Sequence, residues 1–131
     1  MKLPPPVAEL IGMEIESAGG GEAVMALEAA ERHENPMGSV HGGIFCDLAD
    51  AAMGMAIFST LEEGESFTTL ELKINYLRPF WKGRLVAKGR VVSRGRTVGL
   101  TECDIEDADG RLIARASSTC MALRGDSAQG R

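Results

Sequence analysis

The chain has 131 residues, 44% of them hydrophobic and 25% charged, which suits one globular domain with a full core. Its longest apolar run carries two aspartates, and Met1–Pro6 lacks the apolar stretch of a signal peptide, so a cytoplasmic protein without a membrane partner is expected. A formal net charge of −5 and the lack of any recognisable binding motif argue against nucleic acid.

Pro4–Ile11 predicts a short helix, opened by proline and closed by Gly12. Met13–Ser17 alternates weakly, Gly19-Gly20-Gly21 is a turn, and Ala23–Ala29 reads as a second strand, so these two form a hairpin. Glu31–Val40 is a loop. His41-Gly42-Gly43 then opens a run to about Leu61 that is apolar almost all round, interrupted by Cys46, Asp47 and Asp50. Such a helix is expected to be buried. Its small residues (Ala49, Ala51, Ala52, Gly54, Ala56) allow close neighbours, and Glu62–Glu65 ends it.

The period then changes. Thr69–Tyr76 alternates, with Leu70, Leu72, Ile74 and Tyr76 on one face, until Arg78-Pro79 stops the strand. Leu85–Ser93, Thr97–Ile105 and Leu112–Leu123 are further strands, separated by Arg94-Gly95-Arg96 and by a turn at Asp109-Gly110. Arg124–Arg131 is a polar tail expected to be disordered. About six strands, four of them consecutive through short turns, predict an antiparallel sheet with one long helix packed on a face. The class is α+β, a single domain over 1–131 with a short helical region at 1–12.

Charge is distributed unevenly. Between Leu72 and Leu100 there is no Asp or Glu, and eight of the 14 basic residues fall there (Lys73, Arg78, Lys82, Arg84, Lys88, Arg90, Arg94, Arg96), leaving six to face all 19 acids elsewhere. Two readings are open: a strand face that pairs with acidic neighbours, or a positive surface for a polyanion. Cys46, Cys103 and Cys120 are odd in number and lack metal-ligand spacing; they read as reduced structural thiols.

The motif His33-x-Asn35-x-x-Gly38-x-x-His41-Gly42-Gly43, followed by Leu48-Ala49-Asp50, resembles the PaaI-like acyl-CoA thioesterases of the hotdog fold. The likeness continues through Thr69–Pro79 and Gly95-Arg96-Thr97, and it covers nearly all of Met13–Leu123. It implies hydrolysis of an acyl-CoA thioester with no metal or bound cofactor, coenzyme A being part of the substrate. Asp50, nine positions after His41, would be nucleophile or general base. The Gly42 backbone N–H would polarise the thioester carbonyl. Asn35 would help place the thioester or the water, and the Thr69 hydroxyl would assist the water. A homodimer at least, and a homotetramer of two such dimers, is implied. A hotdog protein that binds acyl-CoA without cleaving it, and a hydratase or dehydratase, are alternatives. Aryl and medium-chain acyl groups are both open.

The residues support parts of this by themselves. Thioester hydrolysis needs an electrophile activator and a base or nucleophile. A helix N-terminus offers unpaired N–H groups and a positive dipole end, and Gly42 and Gly43 have no side chain to block a carbonyl oxygen. A buried carboxylate such as Asp50 is costly unless satisfied or functional. Eight residues of helix span about 12 Å, so Asp50 does not easily reach the Gly42 end of its own chain, and the resemblance implies that it meets the Gly42 end of a partner. Arg94 and Arg96, with Thr97 beside them at the Gly95 turn, suit the phosphates of coenzyme A. His41 is a further candidate catalytic base. Plainer readings stand beside these: His41 and His33 as residues that order the loop, Asn35-Pro36 as turn chemistry, and Asp47 as a competitor of Asp50 for the acting acid. Cys46 has no histidine within a helical turn to activate it as a nucleophile.

Overall fold

The computed structural model describes residues 2–131. Its elements run α1 (Pro6–Ile11), β1 (Met13–Gly19), β2 (Glu22–Ala29), α2 (Gly42–Phe58), β3 (Ser66–Tyr76), β4 (Gly83–Arg94), β5 (Val98–Asp107) and β6 (Leu112–Leu123), with single 3-10 turns at Glu31–His33 and Gly125–Ala128. The six strands form one antiparallel sheet in the order β1-β2-β4-β5-β6-β3, with α2 packed mainly against β4, β2 and β5.

Turn chemistry sets most boundaries where the residues place them. Gly12 takes φ 90° after α1, and its N–H bonds to the Ala8 carbonyl at 2.7 Å, the left-handed cap that glycine favours. Between β5 and β6, Asp107 Oδ1 accepts from the N–H groups of Asp109 and Arg111, both at 2.9 Å.

β3 precedes β4 directly in the chain but does not pair with it. β3 pairs with β6, from Ser66 opposite Leu123 to Tyr76 opposite Ala114, and so lies at the sheet edge. The short link 77–82 therefore connects strands that β5 and β6 separate. Its start is tied to β6, since Leu77 and Arg78 donate to the Ile113 carbonyl at 2.9 and 3.1 Å. The register of β3 also shifts between Thr69 and Glu71. Leu70 is the extra residue of this bulge and stands 55% exposed, while Leu72 and Ile74 are half-buried. The four apolar residues of β3 therefore do not share one buried face.

α2 corrects a second expectation. Its buried residues are Phe45, Leu48, Ala49, Ala52, Met53, Ala56 and Ile57, a stripe at three- and four-residue spacing. The opposite face is not covered: Ala51, Gly54, Met55 and Phe58 are half-buried, and Asp47 and Asp50 are exposed. Where α2 meets β4 the backbones nearly touch. A Cβ at Gly89 would lie 2.5 Å from the Ala52 carbonyl oxygen, so the small residues do permit close approach.

The helix stops at Phe58, ahead of the acidic cluster. The hydroxyls of Ser59 and Thr60 donate to the carbonyls of Ala56 and Ile57, both at 2.7 Å, which competes with the helical ladder. Ser59 Oγ also accepts from Gly21 N–H at 2.8 Å, fastening the β1–β2 hairpin to the end of α2. At the C-terminus, the segment expected to be disordered carries the 3-10 turn Gly125–Ala128, and Arg124 pairs with Glu65 at 2.7 Å. Cys103 and Cys120 are buried free thiols. Burial, ahead of the Asp104 charge, pushes the Cys103 thiol up to about 12. No helix among the described residues is long and apolar enough to cross a membrane.

Candidate active site

The loop before α2 is ordered by its own side chains. His33 is only 2% exposed. Its Nδ1 accepts from Ala30 N–H at 3.0 Å and its Nε2 lies 2.7 Å from the Ile11 carbonyl; together these fix a neutral ring with the proton on Nε2. Asn35 Oδ1 accepts from the N–H groups of Met37 and Ser39 at 2.9 and 3.2 Å, and its Nδ2 donates to Ser39 Oγ at 2.9 Å. These are the contacts of an Asx turn. His41 is the N-cap of α2, its Nδ1 accepting from Gly43 N–H at 2.9 Å. His33 and His41 thus hold the loop and the helix start.

The cap leaves one donor free. Gly43 N–H is taken by His41, and Ile44 N–H bonds to the His41 carbonyl at 2.9 Å. Gly42 N–H has no acceptor among the described residues. Gly42 itself lines a cavity of about 340 Å³ whose walls include Asn35, Phe45, Tyr76, Arg78 and Phe80. Tyr76 was legible only as the end of an alternating strand, yet its hydroxyl donates to the Gly42 carbonyl at 3.0 Å and lies 3.3 Å from Cys46 Sγ.

Asp50 lies elsewhere. With Asp47 it lines a groove of about 860 Å³ along the open face of α2, among Ala51, Met55, Phe58 and Phe67, and bounded by the segment from Lys2 to Val7. No lining residue is common to groove and cavity. The Asp50 carboxyl keeps solvent contact, but the apolar walls crowd it. Desolvation first, and then the negative charge of Asp47, raise its pKa above the ordinary carboxylate value. Neither carboxylate has a hydrogen bond or ion pair among the described residues. Within one chain, then, Asp50 and Gly42 are not brought together. Thr69, at the β3 bulge, lines neither space; its hydroxyl sits 3.8 Å from Cys120 Sγ.

The basic window divides into paired and unpaired cations. Every cation of β4 is paired: Arg84 with Glu16, Lys88 with Glu106, Arg90 with Glu102 and Asp104, and Arg94 with Glu65. Arg94 also donates to Thr60 Oγ1 at 3.1 Å and to the Gly95 and Arg96 carbonyls. Its guanidinium is engaged within the chain, contrary to a free phosphate contact. Lys73, Arg78, Lys82 and Arg96 have no ion-pair partner among the described residues. Arg96 and Thr97 are exposed at the β4–β5 turn, whereas Arg78 borders the Gly42 cavity.

Residues 37–114 match the family described as the thioesterase superfamily. The chain belongs to that superfamily. The human protein named acyl-coenzyme A thioesterase 13 is 31% identical over 105 residues, 79% of this chain and 74% of that one. The 1,4-dihydroxy-2-naphthoyl-CoA hydrolase of Listeria monocytogenes is 31% identical over 111 residues, 85% of this chain and 90% of the relative. The structure of E. coli PaaI, from the phenylacetic acid degradation operon, superposes with a TM-score of 0.86 at 26% identity, covering 93% of this chain and 87% of that one. The molecule is a hotdog-fold thioester hydrolase of the PaaI-like kind.

Proposed function

We propose that this thioesterase hydrolyses acyl-CoA to free coenzyme A and a carboxylic acid, at a site shared between two copies of the chain. What carries the proposal is the division of one helix into two complementary halves. A single free N–H stands at Gly42 on a cavity wall, and an unpartnered carboxylate with a raised pKa stands at Asp50, about 12 Å further along. A two-fold axis beside α2 would cover its open apolar face and set Gly42 of one protomer opposite Asp50 of the partner, twice by one operation. The likeness to PaaI extends this to a tetramer of two such dimers.

In that site the Gly42 N–H stabilises the negative charge that develops on the thioester oxygen. Asp50 either attacks the carbonyl carbon or removes a proton from the water that does. Water supplies the hydroxyl of the new acid, the C–S bond breaks, and the coenzyme A sulfur leaves with its electron pair and takes up a proton. Water is the only co-reactant, so no cofactor is required. Arg96, Arg78 and Lys82 are the free cations available to the nucleotide phosphates. The relatives' names support coenzyme A as carrier and span both acyl and aryl groups. Three free thiols fit a reducing cytoplasm.

Asp50→Asn should keep the fold and lower kcat by roughly 10²–10⁴, the scale of general-base loss. Refolding it together with a chain inactivated at Gly42, by replacing that glycine with glycolic acid so that an ester oxygen stands for the N–H, tests sharing. Each hybrid dimer carries one intact site and one doubly defective site, so up to about half of wild-type activity should return. Hybrids that form and stay inactive would place all catalytic groups in a single chain.

A further inference from the structure

We infer that Tyr76 is a positioning residue for the Gly42 donor: its hydroxyl bond to the Gly42 carbonyl and its ring against Gly42 keep the free N–H aimed into the cavity. The inference rests on the proposed role of Gly42.

Two glycines in succession are a poor way to start a helix. Each has wide torsional freedom, and the first turn lacks the intrahelical bonds that hold later ones. In this chain the Gly42–Gly43 peptide is clamped at both ends by side chains. Its N–H donates to His41 Nδ1 at 2.9 Å, and its carbonyl accepts from Tyr76 Oη at 3.0 Å. The preceding peptide has its carbonyl held by Ile44 N–H at 2.9 Å. Its own N–H, that of Gly42, is the group left over. With both planes fixed, that N–H has one direction.

The ring reinforces the bond. A Cβ at Gly42 would lie 2.9 Å from Tyr76 Oη and 3.0 Å from its Cζ, so the phenol occupies the side on which any other residue would project. Phe45 holds the ring from α2 itself, edge-on at a centroid distance of 6.0 Å and 64°. The Gly42 carbonyl has two lone pairs. One accepts the ordinary helical bond from the N–H four residues on, and the other is open to Tyr76. The hydroxyl is a donor at any working pH. Its bond with Cys46, then burial, then the Cys46 charge push the phenol up to about 12.

Tyr76 is 53% exposed on the cavity wall, so a competing role is direct contact with substrate, and the test separates the two. Tyr76→Phe keeps the ring and removes the donor. Kinetics would be measured on an acyl-CoA and on the same acyl group carried by N-acetylcysteamine. A positioning role gives a kcat loss of about 3- to 10-fold, the scale of one neutral hydrogen bond. KM should change by less than about twofold, with the same loss on both substrates. Placing para-aminophenylalanine at position 76 restores a donor at the same place and should recover most of kcat. In the chain with glycolic acid for Gly42, whose donor is already gone, Tyr76→Phe should cost less than about twofold, because the two defects act on one element. An unchanged kcat overturns the inference. So does a defect confined to KM for the coenzyme A substrate, or an equal loss in both backgrounds. If the glycolic acid chain itself keeps wild-type kcat, the Gly42 reading fails and the positioning role with it. If that chain is impaired and the Tyr76 loss is merely additive, only the positioning role fails.

Discussion

At the entrance to α2 the N–H groups from His41 to Ile44 have partners in the same chain, with the one exception of Gly42. One to a little over two turns further on, about 1.4 and 2.2 turns past Gly42, Asp47 and Asp50 stand on an apolar face with no hydrogen bond or ion pair among the described residues. The first region is complete in one chain: small, bonded from both sides, with a single group left to work. The second is open, and desolvation raises the Asp50 pKa with no partner among the described residues to offset it. On the proposed mechanism, folding one copy finishes the electrophile-activating half of the site and leaves the base half dependent on what covers the groove.

The sharpest way to break the contrast is to spoil only the open side. Ala51→Arg places a cation on the half-buried apolar face of α2. Sedimentation should then show a monomer whose circular dichroism is unchanged, with turnover at least about 100-fold lower, since each monomer keeps a Gly42 end without a facing Asp50. Full activity in a verified monomer would refute the shared site.

A smaller effect is expected from the cations. Arg78→Ala combined with Arg96→Ala should raise KM for acyl-CoA by about 10-fold and leave kcat within about twofold, the scale of lost charge-assisted contacts. A short pantetheine thioester without nucleotide phosphates should show no such change. Arg94→Ala should instead lower the melting temperature, because its guanidinium is joined to Thr60 and Glu65.

The smallest effect concerns pH. The Asp50 pKa is raised, by desolvation and then by Asp47, and the acting form is the carboxylate. The acid limb of kcat/KM should therefore lie above the ordinary aspartate value, roughly pH 4. Asp47→Asn removes the repulsion that favours the protonated form, so the limb should move to lower pH. A limb that moves up, or that survives unchanged in Asp50→Asn, would assign the titration to another group.

Legibility in the sequence followed the range of the interactions. The hairpin at Gly19–Gly21, the turn at Asp109-Gly110 and the start of α2 at Gly42 depend on residues within a few positions of one another, and they stand where the residues place them. The location of β3 depends on a choice between β4 and β6 that local chemistry does not make. Which face of α2 the sheet covers is not legible because both its faces are apolar: alanine, glycine and methionine on the open side look like core. The two fates of the basic window were set by register, which puts Arg90 opposite Glu102 and beside Asp104. Of the site, the residues around His41 and Asp50 were legible through a motif. Tyr76 was not, because its bond to Gly42 spans 34 positions.

The contact between Gly89 and Ala52 makes α2 a lever with a fixed fulcrum. Backbone rests on backbone there, so the helix has no side-chain cushion at that point, and a tilt of the helix would pivot about it. Asp50 lies two residues from the fulcrum and Gly42 ten, roughly 3 and 15 Å along the axis. A tilt of about 5° would therefore move Gly42 by about 1.3 Å and Asp50 by about 0.3 Å. Disturbances of the sheet beneath the helix would reach the two halves of the proposed site unequally: the carboxylate rides near the pivot, and the far arm of the lever is the one that His41 and Tyr76 hold down.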